Sequence, residues 1–174
     1  MNDILEKMMN RAIGLAKIGA AQGEVPVGAV VVKEDRIIGE GYNQTVQRQD
    51  PTAHAEILAI RDAAQRLGTW KLEGCKIFVT LEPCPMCAGA LVLARIKHVV
   101  FGAFDPKGGA CGALYNIPRD GRLNHNCEVT GGILEQECAK ILQVFFDRLR
   151  SRGLQRGGEV AEWSKAGDSK SSRR

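Results

Sequence analysis

A chain of 174 residues, 44% hydrophobic and 25% charged, has the composition of one folded, water-soluble domain with a real core. No apolar run reaches the roughly 20 residues of a membrane span, and Met1-Asn2-Asp3-Ile4 does not open a signal peptide, which points to a cytoplasmic chain. Six cysteines without a secretion signal argue against a disulfide framework. The formal net charge of +4 is uneven: residues 148–174 hold eight Lys/Arg and three Asp/Glu, and the other 147 residues hold 16 and 17. The basic end is either an electrostatic handle for nucleic acid or a solvated tail.

Ile4, Leu5, Met8, Ile13, Leu15 and Ile18 fall close to a helical period, which predicts a packing helix over residues 3–20 ended by Gly19 and Gly23. Residues 25–32 are rich in valine and read as a buried strand with Pro26 at its beginning. A turn at Glu34-Asp35 and a hairpin partner over residues 36–41 follow, then a polar loop to Asp50-Pro51. Thr52 is the expected N-cap of a helix that runs to Leu67 and stops at Gly68. Residues 76–80 make the next strand. Pro85 suits the first position of a helix reaching Arg95, with Cys84 just before it. Another strand covers residues 97–101. Residues 105–126 are rich in Gly, Pro and Asn and predict a long loop of functional kind. A brief strand at Glu128-Val129 and an amphipathic helix from Ile133 toward Arg150 close the domain, with one of Phe145 and Phe146 expected in the core. The alternation of strands and helices implies an α/β sandwich with partly parallel strands. Residues 1–152 form the expected domain, and residues 153–174 turn polar and glycine-rich, as a disordered tail would.

Two stretches carry chemistry, Pro51-Thr52-Ala53-His54-Ala55-Glu56 and Glu82-Pro83-Cys84-Pro85-Met86-Cys87. One imidazole and two thiols make three zinc ligands and leave a fourth position for water, the pattern of a catalytic zinc site. Glu56, two residues from His54, is placed to carry a proton for that water. A lone His-x-Glu means little, and Cys-x-x-Cys alone equally marks a redox pair or half of a structural zinc site. A structural site needs a fourth ligand, for which His98, His125, Cys75, Cys111 and Cys127 are available. The combination of both motifs, each at a predicted helix start, favours the open site and hydrolytic loss of an amine from an aromatic ring.

His54-Ala55-Glu56 with Pro83-Cys84-Pro85-Met86-Cys87 resembles the signature of the zinc-dependent nucleobase deaminases. Further stretches are similar to the bacterial tRNA-specific adenosine deaminases: Glu24-Val25-Pro26-Val27-Gly28-Ala29-Val30, Gly41-Tyr42-Asn43, Ala88-Gly89-Ala90-Leu91, Asp105-Pro106-Lys107-Gly108-Gly109 through Leu114, Leu123-Asn124-His125, and Phe145-Phe146 with Leu149-Arg150. That resemblance spans residues 1–152. It implies a cytidine-deaminase-like three-layer α/β/α sandwich with a five-stranded mixed sheet, assembled as a homodimer with one zinc ion per subunit. It also implies hydroxide attack at C6 of adenine and conversion of adenosine to inosine at wobble position 34 of a tRNA anticodon, chiefly of an arginine tRNA. By the same resemblance His54, Cys84 and Cys87 hold zinc and Glu56 shuttles protons. Asn43 bonds the flipped-out base, with Val27 and Ala55 in the pocket. Asp105, Lys107, Phe145 and Arg150 meet the anticodon stem-loop, Asp105 through a sugar hydroxyl. A free-base deaminase acting on guanine or cytosine shares the two motifs, as does the deaminase of riboflavin synthesis. A non-catalytic RNA-binding relative would have lost Glu56 or a ligand.

Overall fold

The computed structural model describes residues 2–151, and the tail expected over residues 153–174 lies outside them. Strand-forming valines set the architecture. In β1 (Gly28–Lys33), Ala29 and Val31 face one side and Val30 and Val32 the other, and all four are buried. The same alternation recurs in β3 (Lys76–Leu81), with Phe78 opposite Ile77 and Val79, and in β4 (His98–Ala103), with Val100 opposite Val99 and Phe101. Strands buried on both faces need helices on both, which gives the expected three layers. With β2 (Arg36–Tyr42) and β5 (Glu128–Thr130) they form one five-stranded sheet, ordered β2-β1-β3-β4-β5. β1 pairs antiparallel with β2 and β3, and β4 pairs parallel with β3 and β5. The sheet is mixed, as the sequence implied.

α1 (Asn2–Ala21) and α5 (Glu135–Ser151) cover one face through Met8, Met9, Ala12, Leu15 and Cys138. α3 (Ala55–Leu67) and α4 (Pro85–Leu93) cover the other through Ala55, Ala59, Ala63, Ala88 and Leu91. Each large apolar side chain so buried contributes about 1.5–3 kcal/mol. The alanines of α3 allow close approach to β2. There Gly39 and Gly41 share a face, and a Cβ on either would overlap the backbone of Ala59 or Ala55. That contact fixes the height at which α3 begins.

Several boundaries differ from the sequence reading. β1 starts at Gly28 and not at Val25, because Pro26 has no N–H and the Val27 N–H turns back to the Val25 carbonyl at 2.8 Å. A short helix, α2 (Thr45–Arg48), replaces the expected loop; the N–H groups of Val46 and Gln47 donate to the Glu24 carboxylate at 3.2 and 2.8 Å. Thr52 caps nothing. Its N–H and hydroxyl both donate to Asp50 Oδ1, at 2.8 and 2.7 Å, and α3 starts only after His54. α4 ends at Leu93, two residues before Arg95. Between β4 and β5 the only regular element among the described residues is a 3-10 turn, Ile117–Arg119. Phe146 is buried and Phe145 half-buried, their rings meeting edge to face at 5.5 Å, as one core and one available ring require. All six cysteines are free thiols.

Candidate active site

His54 immediately precedes α3 and Cys84 immediately precedes α4, both in extended backbone, with φ/ψ of −76°/153° and −71°/170°. A polar side chain at such a position ordinarily turns back to cap its own helix. Neither does so; the two turn toward each other. Pro85, at the first helical position, has no N–H to leave orphaned, and Cys87 lies one turn inside α4. His54 Nδ1 stands 3.7 Å from Cys84 Sγ and 3.6 Å from Cys87 Sγ, and the three donor atoms lie within 4.8 Å of one another. Bond lengths of about 2.0 Å to nitrogen and 2.3 Å to sulfur at tetrahedral angles put N and S about 3.5 Å apart. The donor set and its spacing therefore fit zinc.

The thiols differ. Cys84 is held down to about 4 by the hydrogen bond from Cys87 and by His54, against the cost of burial. Cys87, which donates that bond and is buried, is pushed up. Metal binding requires both as thiolates, so it displaces the proton of Cys87. The positive ends of α3 and α4 favour negative charge at this point. Glu56, in the first turn of α3, is 4% exposed, and burial pushes its carboxyl up to about 7. A cation in the cradle acts in the opposite direction.

Asn43 joins the elements around the cradle. Its N–H donates to the Val27 carbonyl at 3.1 Å, and its Oδ1 accepts the N–H of Ala55, the first residue of α3, at 2.9 Å. Asn43, Val27 and Ala55 are all buried, and together with His54, Glu56, Cys84 and Cys87 they make the inner group of expected site residues. The outer group is different. Asp105 Oδ1 accepts the N–H groups of Lys107 and Gly108, both at 3.0 Å, so this carboxylate shapes its own turn. Lys107 is exposed. Arg150 pairs with Asp147 on the outside of α5. α5, which carries Phe145 and Arg150, packs on the face of the sheet opposite α3 and α4.

Two residues escaped the sequence reading. Glu24 holds the start of α2, and Glu82 accepts three backbone N–H groups from residues 105–113. The one available signal was position: each is an acid directly ahead of a proline-bearing motif, Glu24-Val25-Pro26 and Glu82-Pro83-Cys84. Separately, a groove of about 410 Å³ runs beside β2, lined in part by Gln44, Arg48, Arg61 and Arg66, and includes no cradle residue.

Residues 3–150 match the family model described as MafB19-like deaminase. The tRNA-specific adenosine deaminase of Bacillus subtilis (strain 168) is 52% identical over 147 residues, 84% of this chain and 91% of that protein. A solved structure from a study of A-to-I editing by tRNA:A34 deaminases at the wobble position superposes with a TM-score of 0.76 and 42% identity, over 78% of this chain and 99% of that one. The guanine deaminase of Bacillus subtilis superposes with a TM-score of 0.55 and 46% identity, over 57% of this chain and 64% of that one.

Proposed function

Because the chain belongs to the MafB19-like deaminase family, and within it to the tRNA-specific adenosine deaminases, we propose that it deaminates adenosine to inosine at wobble position 34 of a tRNA anticodon, releasing ammonia. The observation that carries the chemistry is the cradle of His54, Cys84 and Cys87 with Glu56 buried beside it. His54, Cys84 and Cys87 would hold zinc there, and the bound metal would supply an activated water near neutral pH. Glu56 would carry one proton of the water to the ring nitrogen next to C6, and then the second, from the new C6 hydroxyl, to the departing amine. The new bond is C6–O and the broken one C6–N. A carboxyl that burial raises and a neighbouring cation lowers can both accept and release a proton, as both halves of that transfer require. Asn43 has its Oδ1 committed to Ala55, which leaves Nδ2 as a donor toward an acceptor of the base, with Val27 and Ala55 as apolar walls.

A base paired or stacked in a folded RNA reaches such a site only when extruded. Recognition then falls to groups outside the cradle: Asp105 and Lys107 on the loop after β4, and Phe145 and Arg150 on α5, by stacking and by contacts to sugar and phosphate. The natural substrate in this reading is chiefly an arginine tRNA in the cytoplasm. No helix among the described residues is long and apolar enough to cross a membrane.

We place a homodimer on α4. Met86 and Leu93 are exposed apolar residues and Gly89 and Ala90 are half-buried, at i, i+3, i+4 and i+7, so they form one apolar stripe. A self-complementary contact through that stripe gives one zinc site per subunit.

The direct test incubates the protein with an anticodon stem-loop bearing adenosine at position 34 and, separately, with free adenosine, guanine and cytosine. The expected outcome is inosine in the stem-loop, read as guanosine in its cDNA. Turnover of free guanine with an untouched stem-loop overturns the reading in favour of a free-base deaminase.

A further inference from the structure

Residues 104–127 cross from β4 to the parallel strand β5 with little regular structure of their own, yet they carry Asp105 and Lys107. The path of residues 105–113 is set from one place, whereas Asn124 and His125 are tied to Arg95 and Ile96. Glu82, 2% exposed, sits between the end of β3 and Cys84. Its Oε2 accepts the Asp105 N–H at 3.1 Å, and its Oε1 accepts those of Cys111 and Ala113 at 3.0 and 2.9 Å. The backbone joins in: the Glu82 N–H donates to the Ala103 carbonyl at 2.8 Å, and the Pro83 carbonyl accepts the Ala110 N–H at 2.8 Å. Gly109 lies against the carboxyl, where a Cβ would overlap its Cδ and Oε2. All three donors to the side chain are main-chain groups, so what the carboxylate fixes is chain path.

We propose that Glu82 is the positioning residue of the substrate loop, holding residues 105–113 in register with the segment that carries Cys84, so that the loop's RNA-facing side chains stand at a set distance from the zinc cradle. This deepens the reading of the chain as an RNA deaminase and rests on it. The carboxylate touches neither substrate nor reacting atoms. It acts through the loop, so its loss alters substrate capture and spares the chemical step.

The chemistry of the side chain separates this role from a merely structural one. In Glu82→Gln one oxygen still accepts from Cys111 and Ala113, but the amide nitrogen faces the Asp105 N–H, donor against donor. Only the Asp105 arm is released. Glu82→Ala releases all three arms, and Gly109→Ala displaces the carboxyl while keeping it and also crowds the Asp105 carbonyl.

The test measures the full-length, zinc-loaded protein and the three variants on the stem-loop. Zinc content is read by elemental analysis and amide hydrogen exchange by NMR. The expected result is unchanged zinc, kcat within about threefold, and KM raised about tenfold in Glu82→Gln and Gly109→Ala, and further in Glu82→Ala. Exchange at Asp105 accelerates in Glu82→Gln, with Cys111 and Ala113 still protected. An unchanged KM in Glu82→Gln overturns the proposal, as does zinc loss with a collapse of kcat. Should Glu82→Ala fail to fold, Glu82→Gln and Gly109→Ala decide. An inactive wild-type protein instead overturns the RNA reading and with it the substrate of this loop, while exchange at Asp105 still decides whether Glu82 holds the chain.

Discussion

The His54–Cys84–Cys87 cradle and the 104–127 loop meet at the same strand end but are held by different means. His54 and Cys84 are placed by the backbones of α3 and α4, and those helices are seated by alanines and leucines packed on the sheet. The first half of the loop is placed by hydrogen bonds from three of its N–H groups to one buried carboxylate, and its later part is tied to Arg95 and Ile96 through Asn124 and His125. The difference teaches where precision is spent. Ligand atoms that must converge within a few tenths of an ångström sit on rigid elements, whereas the loop proposed to meet the substrate is hung from a single buried side chain. Damage to the first region should abolish chemistry, and damage to the second should weaken capture.

The largest effect is expected for Cys87→Ala, which removes a ligand that is buried in α4. Elemental analysis should find zinc absent, and stem-loop turnover should fall by at least about 10³-fold. Retained zinc with full turnover would falsify the cradle. Glu56→Gln divides the cradle itself. It is expected to keep zinc and stem-loop affinity while kcat falls about 10²–10⁴-fold, because the lost group moves protons and holds nothing. A parallel loss of metal would make Glu56 a structural part of the site.

How much of this could be read from the residues follows the same division. Ligand identity and spacing are local chemistry, so His-x-Glu and Pro-Cys-x-x-Cys announced the cradle, and β-branched alternation announced the strands. Thr52 misled because capping residues compete: Asp50, two residues earlier, takes the Thr52 hydroxyl and leaves the helix to begin after His54. α2 was invisible because a four-residue helix has almost no periodicity, and its N–H acceptor, Glu24, lies 22 residues upstream of Val46. Glu82 escaped for the same reason, since its partners are 23 to 31 residues away. A buried carboxylate that serves distant backbone leaves no periodic pattern in a single sequence, only its place ahead of a proline-bearing motif. The residues expected to meet RNA came from resemblance alone, and Asp105 proves to be engaged in its own turn.

Asn43 lies on the seam between the two modes, a side chain that fixes a helix start. Asn43→Ala removes the acceptor of the Ala55 N–H in a buried setting, a cost of about 1–2 kcal/mol. Thermal denaturation should show Tm lower by several degrees, together with a fall in kcat/KM on the stem-loop as base contact is lost. A lower Tm with unaltered kcat/KM would leave Asn43 a purely structural residue. Leu93→Asp asks whether either region depends on a second subunit. Leu93 is 74% exposed, so the monomer fold should tolerate the change. Sedimentation should show a shift from dimer to monomer. Unchanged mass would remove α4 as the interface.

The smallest effect belongs to a pair remote from both regions. Arg11 of α1 clasps Glu40 of β2 through two hydrogen bonds, at 2.6 and 2.8 Å, and this partner holds the Glu40 carboxyl below the usual carboxylate range. A carboxyl depressed by folding stabilises the protein above its unfolded pKa. That contribution is lost as the pH falls from about 4 through the lower folded value. Both side chains are substantially solvated, so screening limits the pair to less than about 1 kcal/mol. Arg11→Ala should therefore lower Tm by no more than a few degrees at pH 7, and the difference should shrink as the pH falls below about 4. Zinc content and stem-loop KM should both stay at wild-type values. If KM moved instead, α1 and the β2 edge would belong to the capture surface, and the division into a rigid cradle and one hung loop would be too simple.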